Sequence, residues 1–168
     1  MALVRLINTI SVWGGRLAAL IVLPLVFAMV YEVFSRYGFS RPTLWAFELS
    51  YMMMGSIFVL GIAYALAVGA HVNVDFIHNA LPKRLIAVID FVGFSVLTGL
   101  AAWLTYHLAL YALAGYKSGE GSGLSAWNPQ VWPYRTVFVL GFGLFALQTF
   151  GKALENLLIA LGLAGEKA

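Results

Sequence analysis

YEVFSRYGFSRPTLWAFELSYMMMGSIFVLGIAYALAVGAHVNVD, residues 31–75, is the stretch whose reading decides the fold. It closes one apolar segment on Glu32, Arg36 and Tyr37, turns through Pro42, and opens a second on Trp45 and Glu48 that runs out at Gly69 and His71. The charges gather where the apolar runs stop. A bilayer imposes that arrangement, because a charged side chain is costly at the centre of the hydrocarbon and tolerated at its edge.

Working outward, the rest of the chain is of the same kind. Of 168 residues, 62% are apolar and 10% charged, against about 25% charged in an average soluble domain. Mean hydropathy is +0.90. At about 20 residues per span, the apolar runs predict an all-α integral membrane protein, a single domain over 1–168 with four transmembrane helices at 12–37, 44–68, 84–116 and 134–161. Residues 1–11, with Arg5 and Asn8, read as a short interfacial helix or a frayed lead-in. Arg5 and Arg16 precede an apolar run that continues past Val30 without a small-x-small cleavage site, so that run is expected to be retained as a span.

Several functional classes drop out. Net charge is +3 and the pI near 9.3, but the ten Lys and Arg form no run and read as topology signals, so no nucleic-acid partner is expected. The absence of cysteine excludes disulfides, thiolate chemistry and cysteine-ligated metals. His71 and His107 lie too far apart along the chain to flank one haem iron, and His71, Asp75 and His78 fall on a surface segment between the second and third helices. No Ser-His-Asp set, phosphate-binding glycine loop or metal-ligand spacing is present, so neither catalysis nor a cofactor is expected. His107 reads as a donor between packed helices. Glu32 and Arg36, four apart, predict a local ion pair near the membrane boundary, with Glu48 and Arg41 facing it across the short turn.

Gly61, Ala65 and Gly69 recur every four residues and predict a stripe where another helix approaches closely. The third span is too long for the hydrocarbon and must tilt or protrude. Pro24 is expected to kink the first span. The loop 117–133 carries Trp127 and Trp132, which predicts that its second half docks on something or dips into the interface. Counting Lys and Arg gives six at the terminal side (Arg5, Arg16, Lys83, Arg84, Lys152, Lys167) and four opposite (Arg36, Arg41, Lys117, Arg135), which favours cytoplasmic N and C termini.

The order Glu32, Arg36, Tyr37, Phe39, Trp45, Glu48, Gly61, Tyr64, Ala65, His71, Val72, Val74, Asp75 resembles the small membrane subunit, the DctQ-type permease, of tripartite ATP-independent periplasmic (TRAP) transporters. The likeness continues through Leu81, Pro82 and Asp90 and returns at Pro133 and in GFGLFALQ, residues 141–148. The resemblance implies a bacterial inner-membrane scaffold bound to a large elevator-type (M type) subunit, with a periplasmic substrate-binding protein (P type) delivering an organic acid and sodium driving uptake. It also implies that substrate and ion sites belong to the large subunit. By position, Arg36, Arg41, Trp45, Glu48, Trp127 and Trp132 are the candidates for the outer, partner-facing surface, and Gly61, Ala65 and Gly69 for helix packing. Membrane lipid is the remaining expected partner. The alternatives are a haem-bearing membrane anchor of a respiratory enzyme, which needs paired histidines at one depth, and a small self-assembling exporter, which needs a working carboxylate in mid-membrane.

Overall fold

The computed structural model describes residues 2–70 and 82–162. Four helices account for most of them: α1 (Ala2–Val33), α2 (Ala46–Ala67), α3 (Lys83–Ser118) and α4 (Trp132–Ala160). A five-residue π-helical turn, Phe34–Gly38, extends α1 to the loop. All four carry a stretch long and apolar enough to cross a membrane. The chain is a multi-pass membrane protein of four helices.

Two of these helices interlock through narrow seams. On α1 a seam of buried or half-buried positions runs Ile7, Ser11, Gly14, Ala18, Ile21, Leu25, Ala28 and Glu32, alternating in steps of four and three. On α3 the same alternation runs Ala87, Phe91, Phe94, Thr98, Ala101, Thr105, Leu108, Ala112 and Gly115. That spacing suits a shallow left-handed crossing, and the many small residues let backbones approach closely. The remaining surface of both helices is apolar and exposed, as for Phe27, Leu100 and Trp103, because lipid or another subunit takes the place of solvent there.

Helix α4 is the hub: it packs on α3 most extensively, then on α2 and α1, and α1 also pairs with α2. Among the described residues α3 makes no comparable contact with α1 or α2. The bundle therefore has an edge helix, and a valley opens between α2 and α3 with α4 as its floor.

Glycines set the closest approach. A Cβ on Gly141 of α4 would lie 2.1 Å from Val59 Cγ1 and 2.8 Å from the Val59 carbonyl oxygen, so α2 and α4 meet backbone to side chain at this point. Gly15 similarly admits the Tyr64 ring, and Gly55 the Tyr134 hydroxyl.

Two expectations need adjustment. The lead-in 1–11 is not a separate element, since α1 is continuous from Ala2, and Ile7 and Ser11 bury against α4. His107 lies on the exposed face of α3, where its ring meets Trp103 at 4.7 Å and Tyr106 at 5.4 Å on its own helix. The surface segment expected between the second and third helices, with His71, Asp75 and His78, lies outside the described residues.

Candidate functional site

Glu32, Arg36, Arg41, Glu48, Glu120 and Arg135 gather at the end of the bundle that carries the α1–α2 turn and the α3–α4 loop. At the turn, Glu32 accepts from Arg36 Nε (2.8 Å), from the backbone N–H of Thr43 (2.9 Å) and from the Thr43 hydroxyl. The expected Glu32–Arg36 pair is therefore present, and Thr43 completes it. Thr43 Oγ1 also accepts from the Ala46 N–H at 3.3 Å, which caps the start of α2. Trp45 stacks on Tyr31 across the turn at 5.9 Å. Helix α1, the turn and α2 are thus joined through one carboxylate and one aromatic pair.

Glu48 does not join that cluster. It points across the bundle, where its Oε2 accepts from Ser122 of the α3–α4 loop at 2.7 Å. Its place in the first turn of α2 faces α4 and the loop rather than α1, and the side chain is fully buried. Among the described residues Glu48 Oε1 has no hydrogen-bond partner. A buried acceptor left unmatched costs about 1–3 kcal/mol and asks for an explanation.

The loop itself is a tight hairpin. Helix α3 ends on Gly119 in the left-handed region, at φ 64. Gly121 and Gln130 then pair as an isolated bridge, the Ser122 N–H donates to the Pro129 carbonyl at 2.9 Å, and Asn128 Oδ1 accepts from the Gly123 N–H at 2.8 Å. Arg135, in the first turn of α4, fixes this hairpin with a bidentate bond to Glu120 at 2.7 and 2.9 Å. It also donates to the Tyr111 hydroxyl at 2.6 Å, with its guanidinium 3.6 Å from the centre of that ring. Gly115 gives Arg135 room, since a Cβ there would fall 2.4 Å from the guanidinium. Hydrogen bonds from Arg135, with its positive charge, hold the Glu120 carboxyl below the usual carboxylate range against a smaller opposing effect of burial.

Beneath the hairpin lies a cleft of about 370 Å³ between α2 and α3, walled by Glu48, Tyr51, Met52, Leu108, Tyr111 and Phe138 among others. Its polar groups lie near the loop and its apolar ones a turn deeper.

The opposite end is uncharged in its core. Gln148 of α4 is 1% exposed; its Oε1 accepts from Ser11 at 2.8 Å and its Nε2 donates to Asn8 at 2.6 Å. Thr98 and Thr149 bridge α3 to α4 at 3.0 Å. These neutral groups satisfy one another.

Of the residues expected at a partner-facing surface, all six lie at the charged end. Arg36, Arg41 and Trp127 are exposed, whereas Trp45 and Trp132 are half-buried. Trp132 docks edge-on against Tyr116 at 5.3 Å and donates to Gln130 at 2.8 Å, while Glu48 lies behind the surface. Gly61 and Ala65 line an open groove with Ile57, Phe58, Ile62 and Phe142, and a Cβ on Gly61 would meet nothing within 4 Å. Gly69, at φ 71, lies past the end of α2. Sequence reasoning missed Glu120 and Ser122, and held Gly141 and Gln148 only as the ends of the run 141–148, without their partners. Each depends on a residue distant in the chain, so spacing held no signal for it.

Among the described residues no group of three His, Cys, Asp or Glu is placed to hold a metal ion. Glu32, Glu48 and Glu120 tie helix ends and the hairpin together.

The sequence model of one family, tripartite ATP-independent periplasmic transporters, DctQ component, matches residues 25–158. No curated protein matches the chain. The match covers most of the chain and both ends of the bundle, and the chain belongs to the DctQ family: it is a transporter component that works with the other parts of a tripartite system.

Proposed function

We propose that this component is the small permease subunit of a TRAP-type secondary transporter, a static support for a large elevator-type membrane subunit. That large subunit carries out sodium-driven uptake of an organic acid delivered by a periplasmic binding protein. The chain resides in the bacterial inner membrane with both termini cytoplasmic, and its charged end faces the periplasm.

The observation that carries this reading is the second seam on α2. Phe47, Tyr51, Met54, Phe58, Gly61, Ala65 and Val68 follow one another in steps of four and three, the spacing that locks α1 and α3 into the bundle. Phe47, Tyr51, Met54, Phe58 and Val68 are exposed, and Gly61 has open space before it. A heptad stripe that includes small residues is the complement of another helix. Arg36, Arg41 and Trp127 at the same end of the molecule supply the surface for a soluble partner. A moving carrier needs carboxylates that can be exposed and desolvated in turn at mid-membrane. Glu32, Glu48 and Glu120 instead sit at helix ends, and each accepts at least one internal hydrogen bond.

Reconstitution tests this. Proteoliposomes holding the chain with its large subunit and binding protein should accumulate organic acid under a sodium gradient. Proteoliposomes holding the chain alone should accumulate none. Uptake by the chain alone would refute the supporting role.

A further inference from the structure

We propose that Trp103, Tyr106 and His107 on the exposed face of α3 form a second contact with the large membrane subunit, whose helix presents an oxygen acceptor to the His107 N–H in mid-membrane. The inference rests on the supporting role proposed above.

Depth sets the problem. Gly143 of α4 lies against α3, since a Cβ there would come 3.7 Å from Thr105 Cγ2. Gly143 is eight residues after Arg135 and nine before Lys152, about 12 and 14 Å along the helix axis. His107, two residues on from Thr105, is therefore close to midway between these charges, in a hydrocarbon layer of about 30 Å. There it is exposed beside Trp103 and Tyr106, which are 63% and 62% exposed. An imidazole keeps at least one N–H in either charge state, and the indole has another. Among the described residues none of the three side chains makes a hydrogen bond; the His107 ring is stacked with the other two. Acyl chains offer no acceptor, and the headgroups lie too far for so short a side chain to reach. Such a face suits protein better than lipid.

Position identifies the protein. Tyr111, one turn on along the same row of α3, lines the cleft between α2 and α3. On the opposite wall, Gly141 of α4 seats on Val59 of α2, and both helices run inward from the charged end. Gly61 is hence level with Gly143, and with Thr105 and His107, to within about one helical turn. A single body lying across the valley meets the open groove at Gly61 on one rim and His107 on the other. Trp103 Nε1, the Tyr106 hydroxyl and His107 can all donate, so what answers them is an acceptor, a carboxylate or amide oxygen on the partner's helix.

The test uses the complete transporter in its native membrane. A photo-crosslinking phenylalanine analogue replaces Phe58, in the α2 seam, in one preparation and Trp103 in another, and the adducts are identified by mass spectrometry. Both positions should capture the large subunit. Capture at position 58, with only lipid or a second copy of the chain at position 103, would overturn this inference and leave the supporting role standing. Failure at both would overturn the two together. The hydrogen bond is read from the affinity of the purified subunits. His107→Phe should raise Kd about threefold, the average worth of a hydrogen bond between membrane helices. His107→Gln, which retains an N–H, should bind like wild type, and neither variant should shift the chain's own thermal midpoint. Wild-type affinity in the Phe variant, or equal loss in both, would overturn the hydrogen bond.

Discussion

Along α2, Ser56, Val59, Leu60, Ala63 and Leu66 are buried in the bundle, whereas Phe47, Tyr51, Met54, Phe58, Gly61, Ala65 and Val68 keep heptad spacing and remain largely uncovered. The covered face is matched in shape, with Gly141 seated on Val59 and Leu66 in a cluster with Ala63, Ala101 and Phe145. The uncovered face has the form of a packing surface without its counterpart. In water that difference would show as polarity, one face apolar and the other charged. In a membrane both faces are apolar, and the distinction lies in which glycine meets a neighbour and which meets space. Gly141 and Gly61 are the same residue in these two situations.

The largest expected effect is therefore on the covered face. Gly141→Ala pushes a methyl into Val59 and should cost about 1–3 kcal/mol of bundle stability, read as a lowered thermal midpoint in detergent. An unchanged midpoint would mean that the α2–α4 crossing is looser than described. Next comes the neutral hub at the far end. Gln148→Leu removes the partners of Ser11 and Asn8 together, and interhelical hydrogen bonds of this kind are worth about 0.6 kcal/mol each on average in membrane proteins. The variant should lose about 1 kcal/mol, with hydrogen exchange rising at the start of α1 and the end of α4 while α2 is unaffected.

The smallest effect belongs to the hairpin, which reaches α2 through the Ser122–Glu48 bond at the start of that helix. Glu120 is held below its ordinary range in the folded state, so its contribution is full above the unfolded value of about 4.3 and fades as pH falls through the lower folded value. Amide exchange over residues 120–131 should be pH-independent, after correction for intrinsic rates, from about 5 to 8, and increase only below about 4. Glu120→Gln should abolish the acid-induced change. Loosening between 5 and 8 would show that another group controls the loop.

The parts of this architecture that were legible in the sequence are the local ones. Apolar runs bounded by Arg36, Trp45, Lys83 and Pro133 mark the ends of helices because the bilayer penalises any other placement. Glu32 and Arg36 could be paired on paper because four residues make one helical turn. Glu48 and Ser122 are 74 residues apart, and Gly141 is close-packed only because Val59 crosses it. No periodicity encodes such a meeting. The stripe at Gly61 and Ala65 was visible, but the sequence left open whether it closes within the bundle. The lead-in 1–11 read as a short interfacial helix or a frayed start, and its continuity with α1 was not legible because Ser11 and Asn8 meet Gln148 from the far end of the chain.

The most direct test of the account is Ala65→Leu, read in two ways on the same preparation. The bulk of leucine projects into the open groove, so the chain's own thermal midpoint should stay within about 0.5 kcal/mol of wild type. Co-purification of the large membrane subunit should fall sharply. A variant that retains its partner in full, or one that destabilises the chain as much as Gly141→Ala does, would contradict the claim that this face of α2 is built for another subunit.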